Sequence, residues 1–430
     1  MIDELLKLIT IIGDDMKLNK ILIIVLLGVG FALLSCGEKS SPESRTIKFW
    51  NFWSEPYQKL ALDTLIKEFE QKNDCKVELT QLSWNDGKTK LFAAFNSNTA
   101  PDVLELGSDW VAQFSDAGVL ASLPPDSMNI DNFIEFSKQP SYWKGKLFAI
   151  PWIVDTRVLF YNKDLLRMSG MPAIPPITLD EVQFLAERIN SPQEGVFGWG
   201  ANGSDPHRLY KKIMYFFWTM GNPIFNDQNR LDLNSEGNVK ALNKYVELSR
   251  YGIIDSQRQL DALFTRGRIA LLISGGWLLE KIKNENPDMD FGTALVPGVN
   301  DLNGIRQGIS FAGGEYLAIS KQAKNKELAK EFIRYMTKGE NAIRFCKKVI
   351  EAGFPADKNN YNDPYYKSQP NRETFAKQLE YARMTPVLPE WLEIEAIIEQ
   401  AAEAALLGQE SSDVALKKAH TAIRKLMMKK

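Results

Sequence analysis

Histidine is nearly absent from these 430 residues: His207 and His420 are the only two, and so little imidazole makes the chain a poor host for a zinc site of the usual nitrogen and sulfur kind. Cysteine is almost as scarce. Cys36, Cys75 and Cys346 are too few and too widely spaced for a disulfide scaffold. Neither sign of charge dominates, with 52 Lys and Arg against 54 Asp and Glu and a formal net charge of -2, so there is no basic field to hold nucleic acid. The uncharged, mostly apolar stretch from Ile21 to Leu34 falls short of the roughly 20 residues that a helix needs to cross a bilayer.

That stretch reads instead as an export signal. Lys17 and Lys20 precede it and Leu33-Leu34-Ser35-Cys36 follows, giving a charged start, a short apolar run and small residues at the cut. Its ending resembles the bacterial lipobox, which implies that Cys36 becomes the lipid-bearing N-terminus. The mature chain is then held outside the cytoplasm on a membrane, either in a periplasm or on the cell surface. An uncleaved anchor is the competing reading. Asp3, Glu4, Asp14 and Asp15 suit neither, so Met16 is the expected start, residues 1–36 the signal and 37–45 a polar tether.

From Thr46 the pattern alternates between strand and helix. Thr46 to Trp53 is rich in β-formers, Leu62, Leu65, Ile66 and Phe69 recur at helical spacing, and Cys75, Val77 and Leu79 alternate as a strand. Further helices are expected over Lys88–Phe95, over Trp110–Ala117, and behind the capping box Thr178-Leu179-Asp180-Glu181, where Val182, Leu185, Ala186 and Ile189 form the apolar stripe. Val103–Leu106 reads as a buried strand. Ala329, Phe332, Ile333 and Met336 give a helix closed by Gly339, and Leu416, Ala419, Ile423 and Leu426 a last one. The class is mixed α/β.

Several blocks in this order resemble the extracellular solute-binding proteins of sugar ABC importers, the family that includes maltose-binding protein. They are the aromatic strand Phe49–Trp53, Ala100-Pro101-Asp102-Val103, Gly107-Ser108-Asp109-Trp110, Gly145–Trp152, Asp155–Lys163, the turn Ser274-Gly275-Gly276-Trp277, and Gly313-Gly314-Glu315. The usual Pro-Lys-Thr-Trp is Pro-Ile-Thr-Leu here, at Pro176–Leu179. The resemblance implies a two-lobed periplasmic-binding-protein-like fold, with discontinuous lobes joined by a hinge and ligand in the cleft between them. Lobe one is expected over 46–154 and 312–360, lobe two over 155–311 and 361–430. It also implies a monomer with no cofactor and no enzymatic activity, whose partners are a carbohydrate and the permease subunits of an ABC importer.

A pyranose has an apolar C–H face and a rim of hydroxyls, so its pocket needs flat rings edged by carboxylates, amides and guanidinium groups. Ten tryptophans are available. Trp277 is the first choice, because Gly275 and Gly276 let the backbone approach a ligand and a Trp adds an N–H donor to its ring. Family position supports Trp391 and Trp218, and Trp53 and Trp84 would serve from lobe one; for these four a place in the core is an equal reading. Asp155, among apolar residues, needs hydroxyl donors or Arg157 to satisfy it, with a hinge ion pair as the alternative. Asp109 follows a strand end, where α/β sheets present ligands, or else caps a helix. Glu315 binds ligand or bridges the lobes. Asn51, Ser274, Gly276 and Gly314 complete the candidate set. The metal set is empty.

Two enzyme motifs fail on context. Gly308-Ile309-Ser310-Phe311-Ala312 lacks the last glycine of a nucleophile elbow and reads better as a second-lobe strand. Gly198–Gly203 matches a dinucleotide fingerprint but is followed by Ser204-Asp205-Pro206 and reads as a cleft-side loop. A glycoside hydrolase using paired carboxylates such as Asp155 and Glu315, and a binder of a polyol or glycerol-phosphate, are the alternatives that the sequence leaves open.

Overall fold

The computed structural model describes residues 45–84, 86–203, 205–226, 228 and 230–428; the proposed signal and Cys36 lie outside them. The chain opens with β1 (Thr46–Asn51), α1 (Pro56–Asn73), β2 (Lys76–Gln81), α2 (Gly87–Asn96), β3 (Val103–Gly107), α3 (Val111–Asp116) and β4 (Ala149–Thr156). In β1 the buried residues alternate as Ile47, Phe49 and Asn51, the pleat's two-residue period. The helix α1 buries Leu62, Leu65, Ile66 and Phe69, the stripe expected from their spacing, and starts with Pro56, whose fixed φ suits a first turn.

One residue, Arg157, separates β4 from β5 (Val158–Asn162). Then come α4 (Leu179–Ile189), β6 (Phe197–Asn202), α5 (Leu209–Met220), α6 (Glu236–Ser249), β7 (Gly252–Asp255), α7 (Gln257–Thr265), β8 (Ile269–Ser274), α8 (Trp277–Glu285) and β9 (Phe291–Ala294). At α4 the Thr178 hydroxyl accepts from the Glu181 N–H at 3.2 Å, while Glu181 reaches back to the Ile177 N–H at 2.7 Å. This is the expected capping box shifted by one residue. The chain closes with β10 (Ser310–Ile319), α9 (Lys326–Thr337), α10 (Gly339–Lys348), β11 (Phe354–Pro355), α11 (Pro370–Leu379), β12 (Ala382–Arg383), α12 (Trp391–Leu406) and α13 (Ser412–Met427).

Two sheets organise these elements. The first runs β11-β4-β10-β3-β1-β2, with β12 beside the start of β10; the second runs β9-β5-β8-β6-β7. The chain crosses from one to the other at Arg157 and returns at β10, and hydroxyls tie these crossings together. Thr156 Oγ1 donates to the Phe311 carbonyl at 2.8 Å, and Ser310 Oγ to the Arg157 carbonyl at 2.7 Å. Both are buried, so the hinge has a fixed register.

Three sequence expectations change. Gly198–Asn202 belongs to strand β6 rather than a cleft-side loop; a Cβ at Gly198 would lie 2.0 Å from the Ala186 carbonyl oxygen, so the glycine lets α4 sit on the strand. Ser310–Ala312 opens β10, which pairs with β4 and so lies in the first sheet instead of the second. Gly339 begins α10 instead of closing α9. Further on, Tyr366, Phe375 and Leu379 pack in one apolar cluster with Phe354 and Phe160, so 361–379 spans the junction, while α12 and α13 pack with α5 and α6 of the second lobe. No helix among the described residues is long and apolar enough to cross a membrane.

Candidate functional site

The C-terminal ends of β1 and β3, in the first lobe, collect acids and amides. Asn51 Oδ1 accepts from the Trp53 N–H at 2.9 Å, leaving Asn51 Nδ2 buried without a partner. Glu105 Oε2 accepts from the Phe52 N–H at 3.0 Å, and Glu105 Oε1 is buried without a partner. Glu315, on the adjoining β10 strand two positions from the partner of Glu105, also has an unpartnered buried oxygen, Oε2. Burial pushes the Glu105 carboxyl up to about 8. Burial, then repulsion from Glu105, Asp155 and Asp109, raises Glu315 well above the carboxylate range.

On the same lobe Trp84 is 39% exposed. It stacks on Phe52 with centroids 4.2 Å apart and meets Trp110 edge-on at 5.4 Å. Trp53 is buried edge-on against Phe345 at 5.3 Å, and its indole N–H has no hydrogen-bond partner. Asp109 makes no capping bond to α3; it accepts instead from the Tyr210 hydroxyl of α5 at 3.1 Å, a link between the lobes.

At the hinge Arg157 pairs with Asp155. Its guanidinium lies 4.7 Å from the centroid of the Trp277 ring and 5.5 Å from that of Phe311, within cation–π range. Lys211 sits 5.0 Å above the Phe311 ring. Trp277 donates its indole N–H to Asp261 Oδ2 at 2.7 Å, so that donor is not the free group the sequence suggests. Gly275 also has another reason: a Cβ there would meet the Trp277 ring at 2.0 Å, so glycine lets the indole fold back over its own turn. At Gly276 the nearest such contact is 3.5 Å. At Gly314, by contrast, a Cβ would lie 2.6 Å from the Ile153 carbonyl.

Beneath Trp277 lies a buried polar layer. Asp261 Oδ1 accepts from Ser274 Oγ at 2.9 Å and Gln257 Nε2 at 2.8 Å. Lys212 Nζ donates to the Ile273 carbonyl at 2.6 Å; burial, then repulsion from Arg157, lowers its pKa. On the far side His207 bonds Glu395, whose burial raises its pKa to about 7, while Glu399 accepts the N–H groups of His207, Arg208 and Tyr210.

Asn51, Asp109 and Glu315, at strand ends of the first sheet, and Asp155, Arg157 and Trp277, at the crossing, thus gather near the lobe junction, with Asn51 fully buried and Ser274 below Trp277. Trp391 starts α12 with no exposed surface, its ring 6.1 Å from Tyr210. Trp218 is buried in the apolar cluster of the second lobe. The sequence reading missed Glu105, Tyr210, Lys211, Lys212 and Asp261. A signal existed for Glu105 and Lys212, since each is a charge inside an otherwise apolar element; none marked Asp261 out from any polar residue of an amphipathic helix. The cavity between Asp155, Gly276 and Glu351, at about 20 Å³, is of water size. No cluster of His, Cys, Asp and Glu able to hold a metal occurs among the described residues.

The model of the bacterial extracellular solute-binding protein family matches residues 54–343. The chain belongs to this family. Among curated proteins it is 27% identical over 421 residues to the maltodextrin-binding protein of Bacillus subtilis, covering 91% of this chain and 97% of that one. It is 26% identical over 411 residues to the galactooligosaccharide-binding protein of the same organism, covering 91% and 93%. Among solved structures, the GacH receptor of Streptomyces glaucescens, determined unliganded and with acarbose, superposes with a TM-score of 0.78 at 24% identity, covering 89% of this chain and 98% of that one. A substrate-binding protein of Listeria monocytogenes in complex with cycloalternan gives 0.76 at 25%, covering 89% and 98%. The fold of this solute-binding protein is the two-lobed, maltose-binding type.

Proposed function

We propose that this solute-binding protein captures a carbohydrate, an oligosaccharide or disaccharide, between its lobes and delivers it to the permease of an ABC importer. The observation that carries the reading is the juxtaposition, at the lobe junction, of half-exposed rings with carboxylates whose buried oxygens have no protein donor. Rings suit the C–H faces of a pyranose and such carboxylates suit its hydroxyls. The family match and the sugars for which its relatives are named support the same class. The moving units in this reading are 46–154 with 312–360 and 155–311 with 380–430, joined by the junction segment 361–379 and turning about Arg157 and β10 as periplasmic binding proteins do. A lipid on Cys36 holds the body at the membrane.

Titration with maltodextrins and galactooligosaccharides, followed by tryptophan emission and calorimetry, tests this. A saturable response with micromolar affinity, about 8 kcal/mol, and sugar recovered intact by chromatography is the expected result. Cleaved sugar would assign the carboxylates to a hydrolase. No response to any neutral sugar, with binding of glycerol-phosphate or a polyol, would move the ligand class.

A further inference from the structure

The polar layer under the second lobe's surface has a feature that the reading above does not use. Asp261 is 4% exposed, and its carboxylate takes three donors: Gln257 Nε2 at 2.8 Å and Ser274 Oγ at 2.9 Å on Oδ1, and the Trp277 indole N–H at 2.7 Å on Oδ2. Gln257 and Ser274 are themselves buried. The acid is therefore clamped from one side by α7 and β8 and spends its remaining oxygen on the ring. An indole with two side-chain torsions normally has several rotamers; here one edge is fixed by a charged acceptor, and the Arg157 guanidinium lies over the ring face.

We infer that Asp261 is a positioning residue for ligand recognition: through the hydrogen bond from Trp277 Nε1 it fixes the plane of the indole at the lobe junction, with Arg157 layered on that ring. This deepens the carbohydrate reading and rests on it for the ligand. Asp261 touches no ligand itself. It lowers the entropy lost when the ring is immobilised by a sugar, the part of the binding cost that preorganisation removes. The ring then offers a ligand no donor, since its N–H is committed to the acid, and meets one only on the surface that Arg157 leaves uncovered. Ligand hydroxyls near Trp277 have to find Arg157, Asp155 or Lys211.

The test is a double-mutant cycle. Asp261→Asn keeps the size of the side chain but places either an amide donor against the indole N–H or the carbonyl away from Gln257. Maltodextrin affinity is expected to fall about tenfold or more, the loss of one hydrogen bond to a charged group converted to binding. In the Trp277→Phe background, which has no indole N–H, the same Asp261 substitution should change affinity less than twofold, because its effect runs through the ring. Equal losses in both backgrounds, or none in the first, overturn the inference. Gln257→Met, which removes one donor from Oδ1 and leaves Oδ2 on the indole, should lower the melting temperature yet keep affinity.

Should Asp261→Asn fail to fold, the unaltered protein still decides. The Trp277 indole proton, assigned as the resonance missing from Trp277→Phe, is expected far downfield and slow to exchange; rapid exchange at that site overturns the inference. Failure of all sugars to bind the unaltered protein would sink the carbohydrate reading and leave this measurement standing as the test of the Asp261 contact.

Discussion

The two faces of the junction treat their buried acids differently. On the first lobe, Asn51 Nδ2, Glu105 Oε1 and Glu315 Oε2 are buried with no hydrogen-bond partner. On the second, Asp261 has three donors, Lys212 its carbonyl and Trp277 its acceptor, while Gln257 Oε1 and Glu395 Oε2 stay without partners. An unsatisfied buried group costs about 1–3 kcal/mol, while a satisfied one contributes about 1. The first face therefore carries a local penalty that a hydroxyl-rich ligand could relieve, and the second supplies a fixed ring for it to rest on.

The sharpest break of this contrast is a pair of acid replacements. Asp261→Ala strands three buried donors and is expected to cost at least about 3 kcal/mol of unfolding free energy, read from urea denaturation. Glu315→Gln removes a carboxyl held far from its preferred ionisation and should leave stability equal or higher. A larger loss at Glu315 than at Asp261 would reverse the assignment of the two faces.

The rings give a second comparison. Trp84→Ala and Trp277→Ala should each weaken sugar binding by about tenfold, one ring contact's worth. The latter should lower the melting temperature more, because Trp84 loses only ring contacts with Phe52 and Trp110, whereas loss of Trp277 also takes a donor from buried Asp261. Equal melting temperatures would mean that the indole contact does not hold in solution.

The smallest effect is one of pH. Glu105 has its folded pKa raised from the usual 4.5 to about 8, so stability from this group is complete below about 4.5 and is lost as pH rises through 8. Glu105→Gln does not titrate. Its melting temperature relative to the parent should therefore climb by a few degrees between about pH 5 and pH 8, and a constant offset would remove Glu105 from the ionising set.

Much of this was legible in the primary structure. The period of Leu62, Leu65, Ile66 and Phe69, the alternation of β1 and the Thr178 cap are local consequences of 3.6- and 2-residue repeats, and they stand in the structure. The motif blocks identified the family because their order reflects the whole fold. Asp155, Arg157 and Trp277 were likewise visible, being polar or aromatic residues where apolar elements end. The Asp155–Arg157 pair was visible too, but the partners more distant in sequence were not. Asp261 lies 16 positions from Trp277 and Tyr210 101 positions from Asp109, and no repeat reports a contact made by the folding of separate elements.

The sequence alone determined the mixed α/β class, the supply of rings and acids, and the near-absence of metal-binding imidazole, since these depend on composition and periodicity; the two lobes it indicated only through the resemblance of its motif blocks to a family. Only tertiary structure decided which tryptophan meets solvent and which is core. Trp84 and Trp391 are chemically identical, and their exposures of 39% and 0% differ because Tyr210 packs on one and solvent meets the other. Burial belongs to the neighbours that a side chain acquires, and those come from the other lobe or a distant strand.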